Sequence, residues 1–490
     1  MSHKGIIQSL CRGDRDLLRQ FGRLYNRNFH LTKPVVTHRA GARSAPIVFA
    51  GEANVRMSGR CIINLPFGTN QVLGAHCDHK GLYSFVSQPV VSVIFAWSRV
   101  SALHALFGLL LLVLMASPPV SAATWRVELD GSGDYDSTWD AVWGADAGDT
   151  ILIGAGRFDT VHHYESHDGA EWDGSVDTHM LLHSRDLTVI GQGPGVTVLG
   201  NSGLPNIFGI AVVFDYHTDW DAIVRIENLS IESTDTGIAV FYNEPIIHVA
   251  NVEFLSCLWG IRAISSESSA TDCFASGITN VAFTGVGTVS GCEVNGALVG
   301  VDTYGNSHIE STVFRNCKTA IDYSGTTLGP PNDLECTIVN CDLTDSIEFG
   351  ISADHLAICI VSGNSITATA ACIAGEGDIV VTGANNVLTS DGGYILFSRF
   401  GARFDMQGND FIHSRSVNAV GVYQYNDLPA IVHDLTGNWW GDYTEDDLPL
   451  HIHDGNQSSS VNSFVEFLPM AGGSVPTKGM SWGSLKASFR

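Results

Sequence analysis

One asparagine-centred pattern returns down the second half of this 490-residue chain at the length of a single solenoid coil. It is read at Asn228 (ENLSIES), Asn251 (ANVEFLS), Asn340 (TIVNCDL), Asn364 (VSGNSIT), Asn386 (GANNVLT), Asn409 (QGNDFIH) and Asn438 (TGNWWGD), and its last four steps are 24, 22, 23 and 29 residues. A period in the range of about 20 to 50 residues marks architectures in which each repeat packs only on its neighbours. Cys273, Cys292 and Thr312 fill the same column between Asn251 and Asn340, so the pattern predicts ten or more coils. A second column, a small residue before a β-branched one, keeps step with the first at Gly237-Ile238, Gly260-Ile261, Gly300-Val301, Ala320-Ile321 and Gly350-Ile351.

Between the columns lie short apolar alternations such as IVRIENLSI (223–231) and HVANVEF (248–254), separated by Gly, Ser, Asn and Asp. That is the signal of brief half-buried strands punctuated by turns. Three such strands and three bends fit one coil. Stacked coils pair each strand in parallel with those above and below it, at about 4.8 Å. The expected fold is all-β, a parallel β-helix whose inward residues form ladders. Asn suits such a chain twice over, because it tolerates the left-handed backbone region at a bend and its amide can bond the Asn of the next coil. Open strand edges at either end call for caps. Ser137 is expected to cap a short helix, Thr138 to Ala145, carrying Trp139, Ala141, Val142 and Trp143, and Trp439-Trp440 with the segment to Pro469 is expected to cover the last coil.

Three stretches carry a family resemblance: WRVELDGSGDYDSTWDAVWGADAGDTILIGAGRF (125–158), LTVIGQGPGVTVL (187–199), and GNWWG (437–441) with the later HIHDG and VEFLP. Over residues 124 to about 470 the chain resembles the right-handed parallel β-helix proteins of the pectin-lyase-like superfamily. The resemblance implies the hand of the solenoid. It leaves chemistry open, because that superfamily spans lyases, hydrolases, esterases and adhesins.

Residues 99–122 (RVSALHALFGLLLLVLMASPPVSA) have the basic flank, apolar core and small-residue end of a secretory signal peptide, with cleavage expected before Ala123. The 11-residue core, Ala105 to Met115, is short for a membrane span, so no stable span is expected after cleavage. Residues 1–122 carry 13 Lys and Arg against 4 Asp and Glu, whereas the other 368 residues carry 13 against 47. Residues 1–98 show no repeat and no regular periodicity, and are expected to be disordered or foreign upstream sequence. A cytoplasmic basic arm before a signal anchor is the competing reading. The acidic remainder excludes nucleic acid, whose phosphates need a basic stripe, and suits a secreted or otherwise extracytoplasmic domain (123–470) with a short tail, 471–490. Eight cysteines remain after cleavage, spaced near one coil, and read as a buried unpaired stack.

Function on such a scaffold is expected in the loops, which vary without breaking the ladders. His162, His163, His167, Asp168, Glu171 and Asp173 join imidazoles to carboxylates and are candidate metal ligands, with calcium a candidate ion for the carboxylates alone. In FDYHTDWD (214–221), Tyr216 and Trp220 suit stacking on sugar rings, Asp221 suits hydroxyl bonding, and Asp215, His217 and Asp219 are acid–base candidates. Tyr423, Tyr425 and Asp427 form a second aromatic and acidic loop, about nine rungs away.

The DGSGDY opening is similar to the start of pectin methylesterases, yet their QDTL and DFIFG segments are absent, as is the NTD and GHG set of polygalacturonases. Residues 226–398 contain only Arg262, Arg315 and Lys318 as strong bases, few for neutralising a polyuronate. The expected task is therefore non-catalytic binding of a polysaccharide or cell-surface glycan. A glycoside hydrolase or lyase with an unfamiliar site is the alternative, and a metal-binding periplasmic accessory protein a second one.

Overall fold

The structure is a computed structural model. It describes the strands between 46 and 85 and residues 122–474, apart from 166–174, 184–185, 201–205, 214–221, 242–244, 264, 266, 325–333, 356, 415–417 and 425–428. The chain divides into two units, Met1–Ser117 and Pro118–Arg490. In the first, Pro46–Phe49, Ala53–Met57, Arg60–Ile63, Leu73–Cys77 and Tyr83–Phe85 pair antiparallel in chain order. Nothing in the periodicity of residues 1–98 anticipated those strands.

The second unit is a right-handed parallel β-helix. One coil shows the plan: Thr288–Ser290, Glu293–Asn295 and Val299–Tyr304 are its three strands. Glycines at positive φ turn the chain after each, Gly291 at 63°, Gly296 at 82° and Gly305 at 74°. Most corners use a residue that enters the left-handed region, where Gly meets no steric penalty and Asn and Asp little, which is why these residues and Ser punctuate the sequence. The third strands stack into a 13-stranded sheet, and the first and second strands form the other two faces. Near the front, Ile223–Glu232 runs through a corner as one long strand, pairing first with Leu187–Ile190 and then with Thr197–Leu199.

Register separates the asparagines into two adjacent columns. Asn228, Asn251 and Asn340 stand at positive φ (58°, 51° and 53°) on an outer corner, a column continued by Asp272, Gly291, Ser311, Gly363, Asn385, Gly408 and Gly437. Asn364, Asn386, Asn409 and Asn438 belong one residue later, on an inward column with Leu229, Val252, Cys273, Cys292, Thr312 and Cys341. The single column expected from sequence is thus two.

The inward four form a continuous amide chain. The Oδ1 of Asn386 accepts from both the backbone N–H and Nδ2 of Asn364 at 3.0 Å, and Asn409 and Asn438 repeat the arrangement. Each of Asn364, Asn386 and Asn438 donates its Nδ2 to a core carbonyl as well. All four side chains are buried and satisfied, the condition for keeping polar groups inside.

The column of Gly237, Gly260, Gly300 and Gly350 holds as expected. A Cβ at Gly260 would stand 2.4 Å from the Ala282 carbonyl oxygen, and one at Gly237 would stand 2.6 Å from that of Gly260. The following residues, from Met180 through Ile210, Ile238, Ile261, Phe283, Val301 and Ile321 to Ile351, form an apolar ladder in register. All eight cysteines of the unit are buried and unpaired. Burial pushes the Cys341 and Cys372 thiols up to about 12, so neither is a nucleophile at neutral pH.

The cap helix spans Thr138–Gly144, with Ser137 accepting from the backbone of Trp139 at 3.2 Å. It buries Thr138, Ala141, Val142 and, at its C-cap, Ala145, whereas Trp143 stays 49% exposed. At the far end Trp440 is fully buried against Phe411, ring centroids 4.7 Å apart. Residues 452–453 and 463–466 then add strands to two faces.

Candidate functional site

The outer face of the 13-stranded sheet changes character along its length. Over its first rungs it is closed. Val176, Leu181, Ala211 and Val213 are buried on the outside of the sheet with Trp139, Tyr164, Phe208 and Phe241 packed against them. His162–Glu165 pairs antiparallel with Ser175–His183 and covers the sheet edge there.

Beyond this apolar cluster the face opens. Its central column runs Arg262, Thr284, Asp302, Asp322, Ser352, Ala374, Phe397 in strict register. A parallel column holds Tyr304, Ser324, Asp354, Glu376, Arg399 and Tyr423. Trp259, Phe349 and Tyr394 stand at the strand starts. Strand alternation puts these residues outside: Val301 and Thr303 face the core, so Asp302 and Tyr304 do not.

Asp302 and Asp322 sit on neighbouring strands, each half-buried. Burial pushes both carboxyls up from the usual range, and charge repulsion adds to it, from Asp322 and Asp354 on Asp302 and from Asp354 on Asp322. A hydrogen bond with Ser352 works the other way on Asp322. Asp354 pairs with His355 at 2.8 Å. Both carboxyls are therefore harder to ionise than an exposed aspartate.

Aromatic groups with an arginine flank the acids on both sides. Toward the front, the Arg262 guanidinium lies 5.7 Å from the Trp259 ring centroid. Toward the back, Arg399 lies 5.0 Å over Phe397, which stands 5.1 Å from Tyr394 and 5.5 Å from Tyr423. The Tyr394 and Tyr423 hydroxyls are 2.9 Å apart, and Tyr423 stacks on His453 at 4.9 Å. Burial and the Tyr394 hydroxyl push the Tyr423 phenol up to about 12, so it stays a donor.

Tyr423 is the residue of the sequence-derived set that enters this face. Asp215, Tyr216, His217, Asp219, Trp220, Asp221, Tyr425, Asp427, His167, Asp168, Glu171 and Asp173 all lie outside the described residues. His162 and His163 have separate partners. His162 stacks on Trp139 at 4.9 Å, while His163 bonds Asp177 at 2.7 Å and Glu165 at 3.4 Å. Among the described residues no three His, Cys, Asp or Glu side chains converge as a metal site. Nor is any described helix long and apolar enough to cross a membrane. The acids of the sheet face have no local motif; the signal for them is the residue just after the Gly-Val and Ala-Ile column, where Asp302 and Asp322 recur.

Fold and face together define a right-handed parallel β-helix with an acidic and aromatic outer face. No family model matches the chain, and no curated protein does. Among solved structures it is similar to the Azotobacter vinelandii mannuronan C-5 epimerase AlgE6 A-module, at 15% identity and TM-score 0.41, over 68% of this chain and 92% of that one. It is also similar to a mutant tailspike protein of E. coli bacteriophage HK620, at 12% identity and TM-score 0.33, over 67% and 73%. The assignment of fold rests on the strand register above.

Proposed function

We propose that this is an exported, pectin-lyase-like β-helix protein that binds a polysaccharide or cell-surface glycan along the outer face of the 13-stranded sheet. The observation that carries the reading is the aromatic group of Tyr394, Phe397 and Tyr423 with Arg399, continuous with a floor of carboxylates. Rings of this kind stack on the apolar faces of sugars, and carboxylates accept from their hydroxyls. A glycan array run with the chain from Ala123, with and without calcium, is the test. Phe397→Ala and Tyr423→Ala should each weaken binding about 2- to 10-fold, the value of one aromatic contact. Unchanged affinity in both variants would remove the face from consideration.

Asp302 and Asp322 favour a second reading, cleavage of the bound glycan. They are partners on adjacent strands of one face, their Cα atoms one strand spacing apart, about 4.8 Å, so two carboxyls border the same stretch of the face. Burial and repulsion from neighbouring carboxylates raise both carboxyls, the direction a general acid needs. In reducing-sugar and unsaturated-product assays on any captured glycan, Asp302→Asn and Asp322→Asn should each abolish release while binding persists. Binding without turnover by the unmodified chain leaves the first reading standing alone.

A further inference from the structure

We infer that this face grips one extended, uncharged polysaccharide chain at two stations, Trp259 with Arg262 and Phe397 with Arg399, the chain lying along the solenoid axis. The inference rests on the glycan-binding reading above and adds the ligand's length, direction and charge. Both stations have the same construction, a guanidinium 5.7 Å or 5.0 Å from an aromatic ring centroid, on the same outer face. A stacked guanidinium holds the ring in place and still presents N–H donors at its edge.

Six strand steps separate the stations, about 29 Å at the usual spacing. The central column between them, Thr284, Asp302, Asp322, Ser352 and Ala374, has short side chains; Tyr304 and Phe349 stand in the flanking columns, and among the described residues no Arg lies over either ring. A mono- or disaccharide reaches one station alone, whereas a chain running along the axis reaches both. Asp302, Asp322, Asp354 and Glu376 lie in that interval, so a polyuronate meets repulsion where a neutral polyol finds acceptors.

Two linked contacts make the second one intramolecular, so affinity rises in a step once the ligand spans both, on the order of 10²-fold. Calorimetry on the chain from Ala123 with length-graded neutral ladders, cello-, manno- and chito-oligosaccharides, reads that step. A matching oligogalacturonide ladder is the charged arm. Trp259→Ala and, separately, Phe397→Ala should remove the step and leave short-oligomer affinity from the remaining station. Trp259→Phe and Phe397→Tyr, which keep a ring, should retain the step and guard against a folding defect. Affinity climbing smoothly with length, or a step surviving Trp259→Ala, overturns the two-station inference. Tighter binding of the oligogalacturonides overturns its charge. Binding to no ladder and to no glycan on the array would instead take down the reading beneath it.

Discussion

Buried titratable and amide side chains give the sharpest tests of single residues. His433 is fully buried, accepts from the Phe404 backbone N–H at 3.2 Å, and is pushed down to about 3 by burial and by Arg403. In the unfolded chain it protonates near its ordinary value of 6.5. Between those values the unfolded state holds the extra proton, so stability is complete above about 6.5 and falls as pH drops toward about 3. The loss is of the order of several kcal/mol, and His433→Phe should flatten that part of a urea-midpoint profile. Asp302 and Asp322 have the opposite sign. Their raised folded values mean that ionisation costs stability as pH rises through them, so Asp302→Asn and Asp322→Asn should raise the melting temperature at neutral pH.

The two asparagine columns make a further contrast. Asn386→Ala would strand the Asn364 N–H and the Val361 carbonyl inside the core, costing about 3 to 5 kcal/mol. Asn340→Gly should be nearly neutral, because the next residue in its corner column is already Gly363. Equal losses in chemical denaturation would sink the assignment to different columns.

At the scale of the element, the coil period was legible and the exact register was not. Asn serves a left-handed corner and an interior amide ladder equally well, so adjacent positions with different jobs looked like one motif. The cap helix was legible in its start and length because Ser137 and the burial positions Thr138, Ala141, Val142 and Ala145 obey helical spacing. Its tryptophans lie off the buried stripe, Trp139 packed on the outer apolar cluster and Trp143 exposed. Ser137→Ala should cost about 1 kcal/mol in thermal or urea unfolding. The acidic and aromatic face was largely illegible, because its members are about 20 residues apart in sequence and meet only through register. Tyr423 was found through its aromatic neighbours, while Asp302 and Asp322 lie in stretches with no local motif.

At the scale of the whole molecule, nearest-neighbour packing makes one coil a removable part. Deleting residues 364–385 would bring Asn386 to the position of Asn364 and keep every ladder continuous. That variant should fold with an unchanged circular dichroism line shape and a smaller urea m-value, in proportion to the surface lost. Deleting residue 386 as well would put each following side chain one place out of register, and a cooperative transition should disappear.

Trp259 and Phe397 are held apart by six strand steps of uniform height. The stack is in this sense a ruler. Duplicating or losing one coil within the interval would change its reading by about 4.8 Å while leaving both ends intact, a route by which related proteins would come to measure polymers of different size.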